Sequence, residues 1–284
     1  MFKNKLGKTG IEISAVVFGG IVTMNETPQD CSRYVSYAVE QGVNYFDVAP
    51  SYGNAQEMLS PALAPYRKNA YLACKSTVRD CKIKDELYNS LKTLKTDYFD
   101  VYQLHALSNK EDVETAFSKN GAMEILLKAK AEGYIRNIGI SAHSEDAAIQ
   151  ALAYYDFDTV MFPVNWALNI DKKFGDRLIN ICKYKNKGVL AIKAFAHRSW
   201  TDQNEQQRFP KSWCKTIYGN EALAKAALKY TLSKGADAII SPGNFEQFSY
   251  ILEHIDECAN DPLNAEDMKI LNAELENVKN RHIF

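Results

Sequence analysis

Asp47 and Tyr52 lie close together at the end of a short apolar run, in Tyr45-Phe-Asp-Val-Ala-Pro-Ser-Tyr-Gly-Asn-Ala-Gln-Glu57. Pro50 and Gly53 punctuate the turn between strand and helix, so a strand ending in Asp can present a carboxylate and a phenol to one pocket. That pairing suits acid chemistry. Two later apolar runs end in the same way: Ala70-Tyr-Leu-Ala-Cys74 runs into Lys75, and Tyr98-Phe-Asp-Val-Tyr-Gln-Leu104 runs into His105. Each residue has an ordinary reading as well: a capping Asp, a Tyr packed on a rim, a solvated Lys, a satisfied core His. Their shared placement at the ends of successive strands joins them into one candidate site.

The elements that must position them recur along the chain. Helical patterns close on Gly42, Gly133, Gly188 and Gly235, and an apolar run follows each at once. Glycine there supplies the left-handed closing residue of a helix. Before the first joint, Thr27 can cap a helix, Pro28 suits its first position, and Cys31, Tyr34, Val35, Ala38 and Val39 keep helical spacing. The pattern predicts strands near 15–18, 43–47, 70–74, 98–104, 134–140, 159–162, 189–192 and 236–240. Helices are expected near 28–41, 54–63, 84–95, 121–132, 145–154, 172–186, 220–233 and 245–258. A hairpin over 4–13 opens the chain, and a helix over 264–279 closes it. Strict alternation implies an α/β fold with a parallel sheet, and eight units imply a closed (β/α)8 TIM barrel spanning 1–284 as one domain. An open doubly wound sheet is the alternative. Gly19-Gly20 is its only trace, because no Gly-x-Gly-x-x-Gly follows the first strand.

Composition narrows the chemistry. With 34 basic against 35 acidic residues, a net charge of -1 and no block of like charges, nothing suggests a nucleic-acid surface. No run approaches the roughly 18 apolar residues of a membrane span, and the N-terminus lacks the apolar core of a secretory signal. A cytoplasmic protein with a small-molecule substrate is the expectation. The six cysteines lie far apart without a Cys-x-x-Cys pair, so no metal site is expected and reduced, buried thiols are.

The chain resembles the aldo-keto reductase family from end to end. Lys5-Leu-Gly-Lys-Thr-Gly-Ile-Glu-Ile-Ser14 is similar to the family's opening hairpin, and Phe46-Asp-Val-Ala-Pro-Ser-Tyr-Gly-Asn-Ala-Gln-Glu57 to its signature turn. Lys95-Thr-Asp-Tyr-Phe-Asp-Val-Tyr-Gln-Leu-His105 and Gly133-Tyr-Ile-Arg-Asn-Ile-Gly-Ile-Ser141 resemble its fourth and fifth strands. The resemblance implies a catalytic tetrad of Asp47, Tyr52, Lys75 and His105, none of them substituted, and a reduced nicotinamide as hydride source. In that reading Tyr52 gives the proton, Lys75 lowers its pKa by favouring phenolate, Asp47 orients Lys75, and His105 bonds the carbonyl oxygen.

The implied cofactor contacts are Gly20, Ser141, Met161, Ile192, Lys193, Ser241, Gly243 and Asn244. Several depart from the family's pattern. Ala142 follows Ser141 where Asn is common, Met161 stands for a Gln, and Ile192 stands for the Tyr that stacks under the nicotinamide. Lys193 is either a solvent-facing strand end or a contact to cofactor phosphate. The basic residue that usually grips a 2′-phosphate is missing after Gly243, with only Lys193 or Arg198 to compensate; NADP stays ahead of NAD on family frequency. The long segment 197–219, anchored by Trp200, Phe209, Trp213 and Tyr218, is expected to be a lid, and the tail 280–284 to be too short to build much of a substrate pocket. The implied activity is hydride transfer between a nicotinamide and a small aldehyde, ketone or sugar carbonyl, or its alcohol. A nicotinamide-binding barrel acting as a sensing or regulatory subunit is the alternative, and the oligomeric state is left open.

Overall fold

Short apolar strands alternating with amphipathic helices bury themselves most fully as a covered parallel sheet, and here the sheet closes on itself. The computed structural model describes residues 1–283. Its strands are β1 (Lys3–Lys5), β2 (Glu12–Ser14), β3 (Val16–Gly19), β4 (Tyr45–Asp47), β5 (Tyr71–Ser76), β6 (Phe99–Leu107), β7 (Ile135–Ala142), β8 (Thr159–Pro163), β9 (Gly188–Ile192), β10 (Ala196–Arg198), β11 (Lys215–Thr216) and β12 (Ala238–Ile240). The barrel runs in the order β12-β3-β4-β5-β6-β7-β8-β9 and closes. The eight expected strands are all present, and the open-sheet alternative is excluded.

Side chains alternate between the two faces of a strand, so each barrel strand feeds two cores. Val17, Tyr45, Ala73, Val101, Met161, Leu190 and Ala238 fill the barrel interior, joined by Leu6, Ile11 and Ile13 from the β1–β2 hairpin. The hairpin therefore plugs one end of the barrel. The alternate residues face the helices: Phe46 meets Phe18 at 5.3 Å between ring centroids, and Phe18 meets Phe248 of the helix Phe245–Asn260 at 5.2 Å. Burying such a ring stabilises the fold by about 1.5–3 kcal/mol. Continuing the same alternation, Asp47, Lys75 and His105 share the interior face with Tyr45, Ala73 and Val101.

The helix Pro28–Glu40 begins as the residues suggest, with the Thr27 hydroxyl accepting from the Asp30 backbone N–H and Pro28 in the first turn. The expected helix over 172–186 is instead two, Trp166–Lys172 and Asp176–Tyr184. Gly175 explains the break: its φ is +90°, and a Cβ there would lie 2.8 Å from the Phe162 ring. A helix Lys110–Phe117, capped by the Asn109 side chain, adds to the expected elements ahead of the helix over 121–132.

Candidate active site

Lys75 is 1% exposed and its ammonium bonds the Asp47 carboxylate, which is equally buried. A charge taken out of water is costly unless it is paired, so each group fixes the other in place. Burial opposes both charges. It raises the Asp47 carboxyl, with Lys75 offsetting part of the rise, while in Lys75 the attraction of Asp47 and then of Tyr52 outweighs burial and raises the ammonium. We take the pair as ionised, because the opposite charge is in contact. Asp47 Oδ2 has no partner among the described residues, so the pair keeps an acceptor in reserve beneath the pocket.

Above this pair sits Tyr52, in the turn between β4 and the helix Ala55–Leu63, with its ring centroid 4.8 Å from Lys75 Nζ. Lys75 does pull the phenol downward, as expected from sequence. Burial outweighs that pull, and the Tyr52 pKa ends above its ordinary value rather than below it. The phenol is protonated at neutral pH, as a free phenol is, and burial makes it a weaker acid than Lys75 alone would. His105 meets Tyr52 edge-on, with ring centroids 5.9 Å apart and planes at 87°. Its pairing register with β7 shifts between Leu104 and Leu107, and Ala106 takes a φ of +57°. Such an irregularity re-aims a side chain at a barrel rim. The His105 carbonyl accepts from Arg79 Nη2 at 2.5 Å, a support that sequence reasoning missed because Arg79 lies in the loop after β5. Burial, and after it the charge of Lys75, lower the His105 imidazole to about 2, so it is neutral.

Asp47, Tyr52 and His105 line one open cleft of about 840 Å³ at the C-terminal rim of the barrel, the end where this fold places its sites. Ser141, Met161, Ile192, Lys193, Ser241 and Gly243 line it too. Gly20 and Asn244 are not in the lining. Gly20 opens the short turn Gly20–Thr23 behind Gly19, which does line the cleft. Asn244 is turned toward the segment 197–219, donating to Ser212 Oγ at 2.8 Å.

The segment 197–219 is ordered by specific contacts. β10 and β11 pair within it, Gln203–Arg208 is helical, Trp200 Nε1 donates to the Ser212 carbonyl at 2.8 Å, and Ser212 Oγ donates to Gln247 at 2.5 Å. Lys211 reaches across to the other bank, donating to the Val22 carbonyl at 2.7 Å and to Glu26 at 2.5 Å. Its backbone presses on the expected phosphate turn, where a Cβ on Gly243 would lie 2.3 Å from the Lys211 carbonyl oxygen. Lys211 thus lays its backbone against that turn, while its ammonium is held across the cleft by Val22 and Glu26. Lys193 and Arg198 have other neighbours: Lys193 faces Trp213, while Arg198 bonds Thr201 at 2.9 Å and Glu205 at 3.5 Å. The tail contributes more than its length implied. The Ser199 N–H donates to the Arg281 carbonyl at 2.9 Å and its hydroxyl to the His282 carbonyl at 2.7 Å, which seats Ile283 in the wall of an adjoining cavity. Residue 284 lies outside the described residues.

The structure is thus a closed parallel barrel that carries at its rim a buried ammonium–carboxylate pair under a phenol and an imidazole. The sequence profile of the Aldo/keto reductase family matches residues 15–276. The chain belongs to that family, whose members are oxidoreductases. Aldo-keto reductase YhdN of Bacillus subtilis is 25% identical, covering 96% of this chain and 93% of the relative. An uncharacterised oxidoreductase of the same organism, YqkF, is 32% identical over 50% of this chain and 49% of its own length. L-galactose dehydrogenase of Arabidopsis thaliana is 27% identical over 81% of this chain and 75% of the relative. The solved aldo-keto reductase of Bacillus halodurans superposes with a TM-score of 0.73 at 20% identity, covering 96% of both chains, a likeness of fold. No helix among the described residues is long and apolar enough to cross a membrane.

Proposed function

We propose that the protein, as a single cytoplasmic domain, transfers a hydride between a nicotinamide cofactor and a small aldehyde, ketone or sugar carbonyl, with Tyr52 as general acid. The observation that carries this reading is the buried Asp47–Lys75 pair beneath a protonated Tyr52 and a neutral His105 in one cleft. The lining suits the cofactor. Met161 and Ile192 offer apolar walls for a flat ring, Ser141 lies in the same cleft with a hydroxyl for its carboxamide, and Gly19, Ser241 and Gly243 leave backbone and small side chains towards a phosphate. NADP stays ahead of NAD.

When bound, the reduced nicotinamide supplies the hydride, two electrons and a proton's mass, to the carbonyl carbon. The π pair of the C=O bond moves to oxygen, and Tyr52 Oη gives its proton to that oxygen, leaving an alcohol and a phenolate. Lys75 stabilises the phenolate, Asp47 holds Lys75, and a ring N–H of neutral His105 donates to the carbonyl oxygen and orients it. Mixing the purified protein with NADPH or NADH and a panel of small aldehydes tests this by the absorbance of reduced nicotinamide. Consumption that depends on aldehyde supports it. Tight cofactor binding without consumption would favour the sensing or regulatory reading instead.

A further inference from the structure

The reaction as written leaves Lys193 unused. It follows β9 with a φ of +63°, left-handed for a residue with a side chain, and its carbonyl is held by Asn165 Nδ2 at 3.0 Å and by the Ala196 N–H at 3.0 Å. Strain locked by neighbours marks a position worth a functional question. The Lys193 ammonium lies 5.1 Å from the centroid of the Trp213 ring, which shields one side of it. Lys193 and Trp213 also line an open recess with His143, Ser199, Cys214 and Ile283.

Nearby acids are engaged elsewhere. Glu205 pairs with Arg198 and Lys215, and Glu274 with His197 at 2.7 Å; among the described residues no carboxylate is in ion-pair reach of Lys193. Burial, and then Lys193 itself, hold the His143 imidazole below its usual pKa, which leaves Lys193 as the cation that lines this recess among the described residues. Trp213 also meets Tyr52, at 6.5 Å between centroids, so one indole separates the ammonium from the proton donor. Lys193 and Trp213 line both cavities, which therefore adjoin.

We propose that the cavity behind Trp213 is a subsite for an anionic group, carboxylate or phosphate, carried by the carbonyl substrate whose oxygen lies at Tyr52 and His105. This rests on the carbonyl-reduction reading and names its substrate class. A charge-assisted bond to a half-shielded ammonium discriminates strongly against a neutral analogue, because the bare cation would stay unpaired.

The test compares kcat/KM for matched substrates: butanal with succinic semialdehyde, and glyceraldehyde with glyceraldehyde 3-phosphate. The anionic member of at least one pair is preferred by about tenfold or more, and the pair that shows it tells carboxylate from phosphate. In Lys193→Met that preference collapses, chiefly through KM, and Lys193→Arg retains most of it. Ratios near unity in the wild type, or a ratio unchanged in Lys193→Met, would overturn the proposal. So would equal loss for both members with weaker NADPH binding but unchanged NADH binding, which would return Lys193 to the cofactor phosphate. If no aldehyde is reduced, the catalytic reading fails by itself, and calorimetry with succinate and inorganic phosphate still decides the subsite. Binding about tenfold weaker in Lys193→Met supports it, and no binding or equal binding overturns it.

Discussion

Among the described residues, Asp47 and Lys75 are each other's only close counter-charge, which makes the pair both a structural and a chemical device. Removing one partner strands the other in a dry interior, at a cost of about 3–5 kcal/mol. Lys75→Met is therefore expected to lower the thermal midpoint and to suppress turnover, whereas Asp47→Asn with Lys75→Met should recover part of the stability and none of the turnover. Calorimetric melting beside steady-state rates checks this, and wild-type stability in Lys75→Met would contradict it. His105 makes a prediction of the opposite kind. Its imidazole is held near 2 in the folded protein, against about 6.5 when free, so below 6.5 only the unfolded chain takes up this proton. The contribution is fully present above about pH 6.5 and is lost as pH falls. His105→Gln should flatten that acid loss in a melting series, and an unchanged slope would place a charged imidazole in the fold. That Asp47, Tyr52, Lys75 and His105 meet at one rim was legible in the sequence, because three of them close apolar runs and Tyr52 lies in the turn after one. The direction of the Tyr52 pKa was not, since it depends on how far burial outweighs Lys75, and a sequence shows the charge but not the depth.

At the scale of elements, apolar runs and Gly-closed helices carried the eight strands, and the failures were local. The break at Gly175 and the Asn109 cap each turn on a single residue, which a helical apolar pattern averages away. Lys211 was out of reach for a different reason: its bond to Glu26 spans 185 residues and exists only because the barrel brings the two loops face to face. That bond ties the segment 197–219 across the cleft, joining one loop to another outside the barrel core, so its loss opens that segment locally. Its effect should be on the segment itself. Lys211→Ala is expected to speed limited proteolysis within 197–219 while leaving the melting midpoint nearly unchanged. Lys211 lines the same cleft as Gly243 and its backbone packs on that turn, so the same variant should alter the ratio of NADPH to NADH affinity in titrations of tryptophan fluorescence. Unaltered cleavage and an unaltered cofactor ratio would remove Lys211 from both roles.

The whole molecule turns a neutral, balanced composition into a site whose charges are concentrated at one end of the barrel. A net charge of -1 offers little long-range steering, so substrate choice has to come from the cleft, with Lys193 on one side of Trp213 and Tyr52 on the other. The barrel supplies that arrangement because its strand ends converge, bringing Asp47, Lys75 and His105 from three neighbouring strands onto one interior face. The most direct measurement of the central claim is the rate of reduced-nicotinamide consumption with a reactive aldehyde in the wild type and in Tyr52→Phe, under saturating cofactor. Removing a general acid costs about 10² to 10⁴ in rate, so the variant should fall by a hundredfold or more with cofactor affinity nearly unchanged. Turnover in Tyr52→Phe equal to the wild type would contradict the assignment of the proton to Tyr52.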